Sequence, residues 1–175
     1  MHTYRFGLEE EYFVVDRRTG RARPELDPEF MRAIKLRLGA QVMHEMLQCQ
    51  IEAVTPPFSS AEEATAELLR IRSVISETGS RHGIGIIAAG THPLLRPAAQ
   101  QVTAKRRYRN VAKDLGYAGF ATPLCGLHVH VEVPRPEARM EIVGQLLAYL
   151  PIFLALSTSS PFWAGPSASQ KSPAK

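Results

Sequence analysis

Cysteine is scarce in this chain. The two present in 175 residues, Cys49 and Cys125, cannot build a disulfide framework. Neither sits in a CxxC pair, so no structural zinc site is expected. Aromatic residues are thin as well, at 7% with a single tryptophan. They are sparse around the two basic clusters, Arg17, Arg18, Arg21 and Arg23, and Lys105, Arg106, Arg107 and Arg109. Single-strand binders stack bases on aromatic side chains, so nucleic acid is not an expected partner. Residues 1–16 are rich in acids and lack the apolar centre of a signal peptide. The most apolar stretch, residues 142–156, is 15 residues long and holds Gln145 and Pro151. A spanning helix needs about 20 apolar residues. The stretch therefore reads as a buried core helix kinked at Pro151, with no membrane partner. These absences point to the reducing cytoplasm.

What is present fits one globular domain. Hydrophobic residues make up 45% and charged residues 22%. The net charge of +4 and pI near 9.3 favour anionic partners such as nucleotides and acidic amino acids.

Residues 4–15 alternate as a strand, with a turn at Thr19–Gly20. Residues 29–38 suggest a short helix. Residues 46–55 read as a second strand, stopped by Pro56 and Pro57. Ser59 or Ser60 opens a helix, each with a glutamate three residues on, as in a capping box. Ala64, Leu68, Ile71, Ile75 and Thr78 form its apolar stripe, and it ends near residues 79–83. A short buried strand over 84–89, a loop over 90–93 and a polar helix over 97–115 follow. Residues 124–133 read as a strand and 137–156 as the apolar helix. Strands interleave with helices, and the first two strands can pair antiparallel, so the fold class is α+β.

Three constellations carry chemistry. Glu9 and Glu11 share one face of the first strand, and Glu10 takes the other. Adjacent carboxylates repel unless a cation or proton intervenes, although an exposed edge strand would tolerate them in water. By parity Glu10 matters less than its neighbours, so in a full-length relative the change matching Glu11→Gln is expected to cost far more activity than that matching Glu10→Gln. Gln48, Gln50 and Glu52 form the polar face of the second strand. Glu45 has the opposite parity and joins Glu52 only if the strand starts later or bulges. Finally, Gly126, His128, His130 and Glu132 alternate with Leu127, Val129, Val131 and Val133. Two histidines and an acid at period two suggest metal or phosphate chemistry, though an exposed sheet face can produce the same pattern. Glu9, Glu11, Glu52 and His128 are expected to converge on one face. A mostly oxygen donor set suits magnesium or manganese better than zinc.

Four segments occur in order: GLEEEYFVVD from Gly7, QCQIEAVTPPFSSAEEA from Gln48, AAGTHP from Ala88 and CGLHVHVEVP from Cys125. Over residues 4–163 they resemble the type 2 glutamate–cysteine ligases, or carboxylate–amine ligases, relatives of glutamine synthetase. The resemblance implies a glutamine synthetase-like curved antiparallel sheet with helices on its outer face. It implies ATP-dependent ligation through an acyl phosphate of the glutamate γ-carboxylate, with Mg (or Mn) as cofactor. The partners would be glutamate and an amine such as cysteine. Glu9 and Glu11, Glu52 and Glu45, and His128 would be the metal ligands. His130, on the same face, and the cluster Arg106, Arg107 and Arg109, whose charge suits steering anions, are weaker nucleotide- or substrate-binding candidates, although the resemblance gives the cluster no defined role; no catalytic residue is assigned. Family members are longer than this chain. Residues 1–163 are thus expected to form the N-terminal part of an incomplete catalytic domain prone to self-association, and 164–175 a disordered tail outside the family pattern. A remnant or interaction module that keeps a metal half-site, and a small metal-dependent hydrolase, are the competing readings.

Overall fold

A computed structural model describes residues 4–95, 100–104 and 123–158. The long strand β1 (Phe6–Asp16) is its axis. On one edge β1 pairs antiparallel with β3 (Gln50–Val54), placing Glu11 opposite Glu52 and Phe13 opposite Gln50. The short strand β2 (Val42–His44) extends the sheet beyond β3. Two strands share the other edge of β1 end to end. β5 (Leu127–Val131) runs against Phe6–Glu10, and β4 (Ile84–Ile87) against Phe13–Asp16, both antiparallel. Between them the Glu11 amide donates to the Gly126 carbonyl at 3.0 Å.

Both long helices cover one face. In α1 (Pro28–Leu38) Asp27 caps the first amides, Pro28 opens the helix and Gly39 closes it at φ 59°. In α2 (Ala61–Arg81) the Ser60 hydroxyl accepts from the Glu63 amide, which selects Ser60 from the two expected caps. The expected stripe Ala64, Leu68, Ile71, Ile75 and Thr78 is the buried one. The helices bury Phe30, Met31, Ile34, Ile71 and Ile75 against Tyr12, Val14, Ile51 and Ala53. The opposite face carries a smaller core of Phe13, Val15, Leu47, Cys49, Leu95 and Cys125, and beyond it the acids stand open. Burial pushes the Cys49 thiol up to about 12 and raises that of Cys125, so neither is a ready thiolate.

Gly79 lets α2 approach β4 closely, because a Cβ there would lie 2.7 Å from the Ile84 carbonyl oxygen. Gly79→Ala gains helix propensity but forces a backbone shift, so a net loss of about 1–2 kcal/mol is expected in urea unfolding.

Three expectations need correction. The second strand is not continuous over 46–55. Within it only β3 is strand; β2 lies before it, and the connection at 46–48 pairs with 101–103 through Leu47–Val102 and the Gln48–Gln101 and Thr103–Met46 hydrogen bonds. That pairing also places 101–103 against 46–48, in place of the helix expected over 97–115; residues 97–99 and 105–115 of that span, the arginine cluster among them, and the tail lie outside the described residues. Finally, the apolar helix is not a buried core helix. After a 3-10 turn at Pro136–Ala138 it runs as α3 (Arg139–Leu146), a second 3-10 turn at Leu147–Tyr149 and α4 (Leu150–Ser157), with no buried residue. Pro151 has no amide to offer the Leu147 carbonyl, so the α geometry fails there as expected. The stretch Pro136–Ser157 is 22 residues, and an 18-residue window within it has a mean hydropathy of 1.6, long and apolar enough by length and composition to cross a membrane. Hydropathy states a demand for burial, and among the described residues nothing meets it.

Candidate metal centre

The pleat of β1 turns Glu9 and Glu11 to the face opposite the helices, and register brings the other donors to them. Antiparallel pairing sets Glu52 opposite Glu11, His128 opposite Glu9 and His130 opposite Gly7, so all share that face. Glu45 follows β2 in the connection to β3, which resolves its parity conflict with Glu52.

Two clusters result, each with its ligand atoms within 4.8 Å of one another: Glu11, Glu45 and Glu52, and Glu9, His128 and His130. His130 Nε2 lies 2.7 Å from Glu9 Oε2, and His128 Nδ1 3.6 Å from Glu9 Oε1. The Gly126 amide donates to Glu11 Oε2 at 2.9 Å. Gly126 also makes room for an imidazole, since a Cβ there would sit 2.8 Å from His128 Nε2.

The charges are closely balanced. Burial and then the neighbouring Glu9 push the Glu52 carboxyl up to about 8. The hydrogen bond from Glu52 holds Glu9 below the ordinary carboxylate range, aided by His130 and His128. Burial raises Glu11, against the pull of the Gly126 amide. Burial and the crowding of these carboxylates thus raise two of them and lower the third, as expected of acids that lack a neutralising charge. Such a carboxylate cluster fits a hard divalent ion, and the histidine-bearing cluster fits a second ion or a phosphate. At the β1–β5 end a cavity of about 440 Å³ is lined by Arg5, Gly7, Glu9, Thr55, His130 and Glu132.

The model of glutamate–cysteine ligase family 2 matches residues 5–172. The chain belongs to that family. A Bradyrhizobium diazoefficiens protein provisionally named glutamate–cysteine ligase 2 is 39% identical over 160 residues, which is 91% of this chain and 38% of that protein. A Jannaschia sp. protein of the same provisional name is 40% identical, over 93% of this chain and 43% of its own length. The chain thus spans about two-fifths of the length of these family members. Two solved structures share the fold: a bifunctional glutathione synthetase from Pasteurella multocida (TM-score 0.73, 18% identity, 97% of this chain and 25% of that one) and a Francisella tularensis glutamate–cysteine ligase in complex with AMP (TM-score 0.61, 15% identity, 86% and 30%).

Within the family fold, all five sequence-expected ligands, Glu9, Glu11, Glu45, Glu52 and His128, and the weaker candidate His130, lie on one face. Sequence reasoning missed the roles of three side chains. Gln50 is 3% exposed and ties the strands together by donating to the Leu124 carbonyl at 2.6 Å and to Cys125 Sγ at 3.1 Å. Arg72 holds Glu10 on the helix side through Nε to Oε2 at 2.8 Å and a second bond from Nη2 to Oε1. No sequence signal marks Arg72, because its partner lies 62 residues away.

His92, noted only as a loop residue in AAGTHP, is 4% exposed. Its Nε2 meets the Gly20 carbonyl at 2.9 Å, and its Nδ1 accepts from the Leu94 amide at 3.1 Å, so the ring is neutral with the proton on Nε2. Burial lowers its pKa below the ordinary 6.5. A depressed value stabilises the fold above the unfolded pKa, and that contribution is lost as pH falls through the folded one. The thermal midpoint should drop between pH 7 and pH 5, and less steeply in His92→Gln.

Proposed function

We propose that this chain supplies the metal-binding strands of an ATP-dependent carboxylate–amine ligase. The γ-carboxylate of glutamate would take the γ-phosphoryl group of ATP with release of ADP, and an amine such as cysteine would displace phosphate to form the amide. The observation that carries this reading is the convergence of Glu9, Glu11, Glu52 and His128 from three strands, and of Glu45 from the β2–β3 connection, onto one face. Family membership, and the AMP held by the Francisella ligase that shares the fold, support a nucleotide as the ligand.

Glu11, Glu45 and Glu52 would hold Mg (or Mn), and Glu9 with His128 and His130 would hold a second ion or contact phosphate. The metal, when bound, would neutralise charge on the phosphoryl oxygens. The chain's own part is placement: β1, β3 and β5 fix the donors on rigid strands, and Gly126 orients Glu11 through its amide. The free thiols Cys49 and Cys125 suit a reducing compartment such as the cytoplasm.

The test is calorimetric titration of the chain with ATP, with and without magnesium, followed by an assay with glutamate and cysteine. Magnesium-dependent ATP binding is the expected result, with no amide formed by this chain alone, because it spans only 38% of the length of its Bradyrhizobium relative. Phosphate without amide would indicate a hydrolase, and no ATP binding a non-catalytic module.

A further inference from the structure

The strand that carries the site is ambiguous in its own sequence. From Glu9 it reads three glutamates and then Tyr12, Phe13, Val14 and Val15. A slip of one residue turns every side chain of a strand to the other face, and alternation of apolar with polar residues normally forbids it. Alternation is missing here. Tyr12 and Val14 are buried beneath the helices, while Phe13 and Val15 are buried in the second core. A slip would exchange apolar for apolar over that half and carboxylate for carboxylate over the other.

Glu10 breaks the degeneracy. It is 4% exposed, whereas Glu9 and Glu11 are only partly buried. Arg72 grips both its oxygens, and the Tyr12 hydroxyl donates to Oε2 as well. Arg72 is itself fixed, since its neighbours Ile71 and Ile75 on α2 are fully buried. A planar guanidinium reads a carboxylate bidentately, so it fits one position on the strand and not the adjacent ones. Setting register is the best-attested use of a buried ion pair.

We propose that Arg72, through its clamp on Glu10, is a positioning residue that sets the register of β1 and thereby delivers Glu9 and Glu11 to the metal face. Only the consequence for metal rests on the proposed function; the clamp itself is metal-independent.

The experiment follows two readouts in the whole chain: cross-strand NMR contacts between β1 and β3, and Mn²⁺ binding by EPR. Wild type should show one register, with Glu11 opposite Glu52. Arg72→Met should add a second set of contacts with Glu10 opposite Glu52, and weaken Mn²⁺ binding about tenfold. Should Arg72→Met fail to fold, Glu10→Gln/Arg72→Met leaves no unpaired buried charge and should show the same second register. Glu10→Met/Arg72→Met restores an acid–apolar–acid alternation, so it should regain a single register and wild-type Mn²⁺ binding without any ion pair. A rescue of this kind would not be expected if the pair contributed stability alone. One wild-type register in folded Glu10→Gln/Arg72→Met would overturn the proposal. A wild type that binds no Mn²⁺ while the variants still slip would remove the metal reading and leave the clamp supported.

Discussion

Arg72→Met is expected to destabilise the chain by about 2–4 kcal/mol in urea unfolding. Breaking a buried ion pair by removing one partner costs roughly 3–5 kcal/mol, because the remaining charge is stranded in a low-dielectric site. Glu10 is the stranded partner, with its side chain 5% exposed and, among the described residues, the Tyr12 hydroxyl left to it. The figure is discounted because the Arg72 side chain is 43% exposed and screened by water. Removing both charges in Glu10→Met/Arg72→Met should return most of the loss, since an apolar pair of similar volume is often neutral or stabilising. Parity alone suggested that Glu10 matters less than its neighbours. Its burial shows that its role is of another kind: Glu10 is expected to affect stability and register, whereas Glu9 and Glu11 affect ligand binding.

The largest loss of binding is expected at the acids of the open face. Glu11→Gln and Glu52→Gln should each weaken Mn²⁺ binding by at least about 100-fold, the upper end of what even outer-shell partners of a metal site cost. Each removes a charged oxygen donor from the cluster with Glu45. Neither should destabilise the metal-free chain much, because these carboxylates face one another and their replacement relieves repulsion. Calorimetric Mn²⁺ titration beside urea unfolding would separate the two effects. A variant that unfolds more readily and binds normally would contradict the assignment.

Much of this site was legible from the sequence because strands have a period of two. Parity alone put Glu9 with Glu11, and His128 with His130, and pairing then joined the groups. Glu45 was legible only on the condition that the second strand starts later or bulges. Its place depends on the break between β2 and β3, which is set by tertiary pairing of residues 46–48 with 101–103 and not by local propensity. The helices were legible where a cap and an apolar stripe agreed, as at Ser60 and Ile71. Arg72 gave no sign because a single arginine on a polar helix face is ordinary until its distant partner is known. The stretch Pro136–Ser157 misled in the other direction. Its composition asks for burial, yet Leu147, Ile152, Leu154 and Leu156 are each more than half exposed. Pattern can report what a segment would bury, but not whether another segment is there to cover it.

The central claim is that β1, β3 and β5 present one divalent-cation face. It is tested most directly by EPR titration of the purified chain with Mn²⁺, with and without ATP, beside the double variant Glu11→Gln/Glu52→Gln. Saturable binding by wild type, tightened by ATP and lost in the variant, is the predicted result. Equal Mn²⁺ uptake by wild type and variant would contradict it.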